Sequence, residues 1–254
     1  MCSEDFSEST AASCTLYQLQ GEHYHCSVVF HPSSHSFLAL YAALQKPGDA
    51  FNAPWLNHTY NHTELLLKPS AYTLVPNHFF KAAQIDQYLQ MQGVETKLAE
   101  YAEVSLAKSH MVSSGIAQVQ SDYNVQAQLL NQVMIQLVPK QQCLHLHIDV
   151  EKINIFILID GSLALANSFA FKSKEDILYF LSAALKKCSI QKEDTAISYS
   201  GFLRPKTSLM NMVMEYFPQA SPLLPPDSIK FDPCFAPIAK HLYFDAFILP
   251  TCGL

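Results

Sequence analysis

Residues 144–185 read LHLHIDVEKINIFILIDGSLALANSFAFKSKEDILYFLSAAL, and the change of period inside this stretch decides the fold. Leu144, Leu146, Ile148 and Val150 alternate with His145, His147 and Asp149, the two-residue repeat of a strand. After Glu151-Lys152 a second strand sets Ile153, Ile155, Ile157 and Ile159 on one face. Asp160-Gly161 is a strong hairpin signal, because both residues tolerate the positive φ of a tight turn. It leads into a third strand, Leu163 to Phe171. The period then becomes helical. Ser173 and Asp176 make a capping box, which satisfies free backbone N–H groups at a helix start. Ile177, Phe180, Leu181, Ala184 and Leu185 line one helical face, and Lys186 and Lys187 suit the negative end of the dipole.

Downstream, a short strand from Thr195 to Ser200 reaches Gly201, and a helix with Met210, Val213, Met214 and Phe217 inward stops at Pro218. The Met210/Met212/Met214 and Phe217 group fits core packing, with a docking face for a partner peptide as the alternative. A proline-rich loop, Pro222 to Pro237, precedes a last helix around Ile238 to Leu249. Upstream, the same order recurs in fainter form. Cys26, Val28 and Phe30 alternate in a strand, His31 to His35 turns, and Phe37 to Leu44 returns. An insertion with Pro47-Gly48 and Trp55 precedes a third strand, Leu65 to Val75. Asn77 caps a helix running to Gln92, with Ile85, Tyr88 and Leu89 inward and Gly93 as its stop. A strand-like region from Glu103 to Val119 follows. A helix capped by Ser121 then carries Val125, Leu129 and Val133 inward and ends at Pro139. The reading is a polar tail over residues 1–20 and two α/β lobes, 21–140 and 141–254, each strand-strand-strand-helix-strand-helix.

Composition narrows the function. The chain has 254 residues, 49% of them hydrophobic and 15% charged, ample for a buried core. All but one of its 16 basic residues are lysines, scattered along the chain, so no basic face for nucleic acid is expected. Most of the net charge of −6 falls in residues 1–140. The 7 glycines are too dispersed for GxGxxG or GxxxxGK[ST], which excludes a dinucleotide fingerprint and a P-loop. The 7 cysteines, odd in number and never closely spaced, read as reduced thiols of a cytoplasmic protein. No apolar run is long enough to span a bilayer, and the acidic, serine-rich start does not read as a secretory signal. Oligomeric state is left open.

The three-stranded meander followed by helix, strand, helix is similar to the ribonuclease H-like order, and two copies resemble the actin-like ATPase fold. That fold is shared by sugar kinases, heat-shock chaperone ATPases, and pilus-assembly and cell-division actin homologues. Residues 167–180 (NSFAFKSKEDILYF), Leu74-Val75-Pro76 and Ser200-Gly201 resemble segments of a bacterial family of unknown function with this fold. The resemblance implies an interlobe cleft that holds Mg-ATP in active relatives, with acidic residues for the metal and glycine turns for the phosphates.

Set against that pattern, the turn Phe30-His31-Pro32-Ser33-Ser34-His35 has neither Asp nor Gly. In the second half Asp149 occupies the acidic position without the glycine that follows it in active members, and Ser200-Gly201-Phe202 has one glycine of a usual pair. Asp149, Ser200 and Gly201 are therefore the candidate nucleotide contacts, with ATP and Mg as the implied cofactors. Against them stands the reading that these residues only shape hairpins. A rival reading is metal: His145, His147 and Asp149 form an H-x-H-x-D string that resembles the start of the metallo-β-lactamase signature, though Val150 breaks the match at its next position. His58 and His62 are spaced for a helix but sit in an Asn/Thr-rich loop. The expectation is a non-catalytic binding or scaffold module that takes a protein partner. A weak ATPase is the alternative and a metal-dependent hydrolase the third.

Overall fold

The computed structural model describes residues 2–4, 6–44, 53–95, 98–115 and 124–251. The sheet pairing sorts its strands into two like sheets and one small one. After a short helix α1 (Glu8–Ala11), strands β1 (Thr15–Gln20), β2 (Tyr24–His31) and β3 (Ser36–Leu44) form an antiparallel meander. Strand β4 (His62–Leu67) then returns parallel to β1. A small sheet follows: β5 (Tyr72–Pro76), helix α2 (Ile85–Gln90), β6 (Ala99–Val104) and β7 (Ser109–Ser114), in the order β5-β7-β6. Helix α3 (Val125–Leu137) leads into the second lobe.

There β8 (Gln142–Ile148), β9 (Lys152–Ile159) and β10 (Ser162–Ala170) repeat the meander. Helix α4 (Lys174–Lys187) is followed by β11 (Ala196–Gly201), parallel to β8. Helix α5 (Ser208–Tyr216) and the two-residue strand β12 (Ser221–Pro222) complete the sheet. Strand β13 (Lys230–Phe231) crosses back to pair with β3, and helix α6 (Phe244–Phe247) closes the description. The two large sheets run β13-β3-β2-β1-β4 and β10-β9-β8-β11-β12, the same meander with a parallel fourth strand in each. This is the two-lobed α/β fold read from the sequence. The strand-strand-strand-helix-strand-helix order holds in the second lobe. In the first, only a 3-10 turn, Pro54–Asn57, lies between β3 and β4 among the described residues, and α2 belongs to the small sheet.

The decisive stretch folds as its periods require. Asp160 and Gly161 turn at φ +49° and +73°, and Ser173 and Asp176 form the capping box at the start of α4. Leu144, Leu146, Ile153 and Ile155 on one face of the second sheet pack on Ile177 and Leu181 of α4 and Met212 and Val213 of α5. Each such fully buried side chain contributes roughly 1.5–3 kcal/mol. The methionines thus belong to the core: Met212 is buried, and Met210 and Met214 lie half-buried against the same cluster. On the other face, Cys143, Phe156 and Leu158 meet α3.

Several expectations change. Residues 15–20 are not part of a polar tail: β1 lies between β2 and β4, with Leu16, Tyr17 and Leu19 buried. The polar residues before it mask a six-residue strand. The strand expected from Leu65 to Val75 breaks at Lys68-Pro69-Ser70 into β4 and β5, which belong to different sheets, because proline cannot donate to a ladder. The helix expected from Asn77 to Gln92 shrinks to α2 behind a 3-10 turn at Ala82–Gln84. The strand-like region from Glu103 is a hairpin, β6 to β7. Helix α3 is capped by the Asn124 side chain on the Ala127 N–H; Ser121, Pro47 and Gly48 lie outside the described residues. The last helix is a 3-10 turn, Lys240–Tyr243, and a single α turn. The second lobe does not keep everything from 141 onward, since Phe235 and Phe247 pack with Tyr17, Leu19 and Phe37 of the first sheet. Among the described residues no helix is long and apolar enough to cross a membrane.

Candidate functional site

The two meanders turn toward each other through matching three-residue hairpins. Gly21-Glu22-His23 joins β1 to β2, closed by the Gly21 N–H on the Tyr24 carbonyl at 2.7 Å. Asp149-Val150-Glu151 joins β8 to β9, closed by the Asp149 N–H on the Lys152 carbonyl at 2.8 Å. His23 Nε2 lies 3.3 Å from Glu151 Oε2, so the hairpins touch tip to tip. With Lys68, Pro69, Ser70 and Lys152 they line a cleft with room for about 50 Å³.

This geometry corrects the first-lobe turn. The segment His31 to His35 sits at the far end of β2, so the N–H that Pro32 lacks has no bearing on the cleft. The turn that faces the cleft contains Gly21 and Glu22, a glycine and an acid together.

Below the hairpins lies a buried ion cluster. Lys68, the residue after β4, places Nζ 2.5 Å from Asp149 Oδ2 and 2.8 Å from Asp245 Oδ2. Asp149 follows β8 of the second sheet and Asp245 belongs to α6, so one ammonium ties three segments from both lobes. The Lys68 side chain is 7% exposed and that of Asp245 4%. Burial alone would pull the Lys68 ammonium down, but Asp149 and Asp245 hold it well above the ordinary lysine value. Burial likewise opposes ionisation of Asp149, and Lys68 overrides it, holding the carboxyl below the usual range. Two further contacts cross between the lobes in a matched way. Tyr24, the first residue of β2, meets the Phe202 ring edge-on at 4.8 Å. Lys152, the first residue of β9, donates to the Ser70 carbonyl.

Behind the cluster runs a polar string. His145 bonds Ser198 at 2.8 Å and Ser200 at 2.9 Å, and His147 Nδ1 bonds Ser200 at 2.8 Å. His147 Nε2 has no hydrogen-bond partner among the described residues and faces Asp245 Oδ2 at 3.9 Å. A carboxylate there favours the proton on Nε2. His147 Nδ1 then accepts from Ser200, Ser200 accepts from His145 Nε2, and His145 Nδ1 accepts from Ser198. Burial disfavours charge on both rings, pushing His147 down to about 4 and His145 well below its ordinary value.

The sequence candidates therefore part company. Asp149 lines the cleft, paired to Lys68. Ser200 is buried and holds the two histidines. Gly201 has φ +78°, and a Cβ there would fall 2.0 Å from the Ile148 carbonyl oxygen, so the adjacent backbone of β8 demands the glycine. Gly201→Ala is expected to cost about 3 kcal/mol or more, read as a lowered urea midpoint. A shift too small to resolve would mean that β8 can move aside. His145 and His147 are buried, 0% and 1% exposed, and their partners are serines. Asp149 turns to Lys68 instead of joining them. Among the described residues no group of three His, Cys, Asp or Glu side chains is placed to hold a metal ion. His58 packs near Phe6, and His62 is exposed at the start of β4. Lys68 and Asp245 escaped sequence reading. The signal was a lone charge within an apolar run, LLLKPS and LYFDAFIL, where burial requires a partner.

Known structures share this architecture. A Bacteroides thetaiotaomicron protein of actin-like ATPase fold and unknown function superposes with a TM-score of 0.72 at 16% identity, over 86% of this chain and 93% of that one. The structure of the PilM–PilN type IV pilus biogenesis complex matches with a TM-score of 0.59 at 11% identity, over 92% and 96%. No curated protein matches the sequence significantly. The family described as "Protein of unknown function (DUF3822)" matches residues 33–220, most of the chain, and the protein therefore belongs to that family, on an actin-like ATPase fold.

Proposed function

We propose that this protein is a non-catalytic binding or scaffold module whose interlobe cleft is held shut from within. The observation that carries this is the Lys68–Asp149–Asp245 cluster. A triphosphate site must offer free backbone N–H groups and a cation to the phosphates. Here the cleft's buried ammonium is already neutralised by two carboxylates. The room between the hairpins is about 50 Å³, whereas ligand pockets run to about 300–1,000 Å³. Glu22 and Glu151 add negative charge at the mouth. The partner class is protein, and a structure of the same fold in the PilM–PilN complex supports that choice. The described cysteines are all free, which supports a reducing compartment such as the cytoplasm.

A second reading rests on the Gly21-Glu22 turn, which with Asp149 gives each hairpin an acid at the cleft. It is weak Mg-ATP binding after the lobes part. One experiment separates the two. Millimolar Mg-ATP is expected to leave the melting temperature unchanged, with no phosphate released. Ligand at about 100 times its dissociation constant would add about 2.7 kcal/mol, a rise of several degrees. Such a rise, abolished by Asp149→Asn, would establish the second reading and end the first.

A further inference from the structure

We propose that one buried water molecule is bound between His147 Nε2 and Asp245 Oδ2, joining the histidine–serine string to the Lys68 cluster. The two atoms belong to side chains 1% and 4% exposed and stand 3.9 Å apart, too far for a direct hydrogen bond. The nitrogen has no other partner among the described residues. A buried N–H left unpaired is costly, and folded proteins rarely keep one.

Neither side chain is free to close the gap. Ser200 holds His147 Nδ1 at 2.8 Å and is itself held by His145. The Asp245 carboxylate is fixed at both oxygens. Oδ1 accepts the Ala246 N–H at 3.0 Å, and Oδ2 accepts the Lys68 ammonium at 2.8 Å. A carboxylate oxygen has two lone pairs, so Oδ2 keeps one for a further donor. An oxygen atom about 2.8 Å from both Nε2 and Oδ2 sits to one side of the line between them and bonds the pair at about 90°.

The chemistry of the two atoms selects the occupant. With its proton on Nε2, His147 needs an acceptor, while Asp245 Oδ2 needs a donor. A metal cation cannot accept, and Lys68 repels it. A halide cannot donate, and Asp245 repels it. Water does both in the space of one small molecule. Buried waters make about three hydrogen bonds, and a third orphan lies near the same carboxylate. The Tyr24 hydroxyl has no hydrogen-bond partner among the described residues, and Lys68 Nζ lies 5.9 Å over the Tyr24 ring. Burial first, then Cys26 and Asp245, keep that phenol protonated, so it donates. The water thus accepts from His147 and Tyr24 and donates to Asp245. The polar string then runs unbroken from Ser198 through Ser200 and His147 to Asp245 and Lys68.

Two measurements on the full chain test this. A high-resolution crystal structure is expected to show a density peak about 2.8 Å from both His147 Nε2 and Asp245 Oδ2. In nitrogen-15 histidine spectra at neutral pH, the His147 ring, assigned by its loss in His147→Asn, is expected to carry its proton on Nε2. That proton should cross-relax with a long-lived water. The crystal result stands even if the variant fails to fold. A direct Nε2–Oδ2 hydrogen bond, a proton on Nδ1 instead, or no water at this position would each overturn the proposal.

Discussion

Replacing Lys68 by methionine is expected to destabilise the protein by about 3–5 kcal/mol. The substitution leaves Asp245 buried and Asp149, 20% exposed at the cleft, near one another with no cation between them. Their geometry rules out an easy escape. Both carboxylates meet Lys68 through an Oδ2 atom within 2.8 Å, and the Asp245 side chain is 4% exposed. Removing one partner of a buried ion cluster costs far more than removing the whole cluster, because the desolvation penalty remains while the attraction is lost. The triple variant Lys68→Met, Asp149→Asn, Asp245→Asn should therefore recover much of the loss. Urea unfolding of the two variants beside the wild type checks this. A loss below about 1 kcal/mol for Lys68→Met, typical of an exposed pair, would show that water reaches the cluster.

Stability is also expected to fall steeply as pH drops from 7 to 5, and the histidines set the sign. His147 titrates at about 4 in the folded protein, against about 6.5 in an unfolded chain. Between those values the unfolded chain binds more protons, so each step down in pH favours unfolding. The loss amounts to about 2 kcal/mol at pH 5 for such a histidine. His145 lies further below its ordinary value, so its contribution continues to more acid pH. Asp149 acts lower still. Its carboxyl is depressed in the fold, so its stabilisation is complete above the ordinary carboxylate range and is lost as pH falls through the folded value. Unfolding midpoints at neutral pH and at pH 5 test the histidine stage. His147→Asn, which retains a partner for Ser200, should flatten the slope. Equal stability at both pH values would contradict the buried, neutral assignment.

The sequence was most legible where one residue type repeats on one face. Ile153, Ile155 and Ile157 announce a strand buried on that side, and Ser173 with Asp176 announces a helix start; both hold. Local pattern failed where tertiary partners decide. Thr15–Gln20 has only Leu16, Tyr17 and Leu19 as apolar members, yet it is central because β2 and β4 flank it. Missing that strand moved the first-lobe turn to the wrong end of β2. The cleft was legible only through Asp149. Its partners lie 81 and 96 positions away in the chain at Lys68 and Asp245, and nothing local to either predicts the encounter. His145 and His147 were correctly singled out as one face, but a two-residue repeat does not say whether that face meets water or the interior.

On the proposed reading Lys68 latches the lobes so that nucleotide does not part or reorganise them. The most direct measurement is the interlobe distance distribution between spin labels introduced through unnatural residues at Ser33 and Lys187, both exposed and one in each lobe. The latch predicts one narrow distribution, identical with and without millimolar Mg-ATP, that broadens in Lys68→Met. A wild-type distribution that shifts when Mg-ATP is added would contradict it.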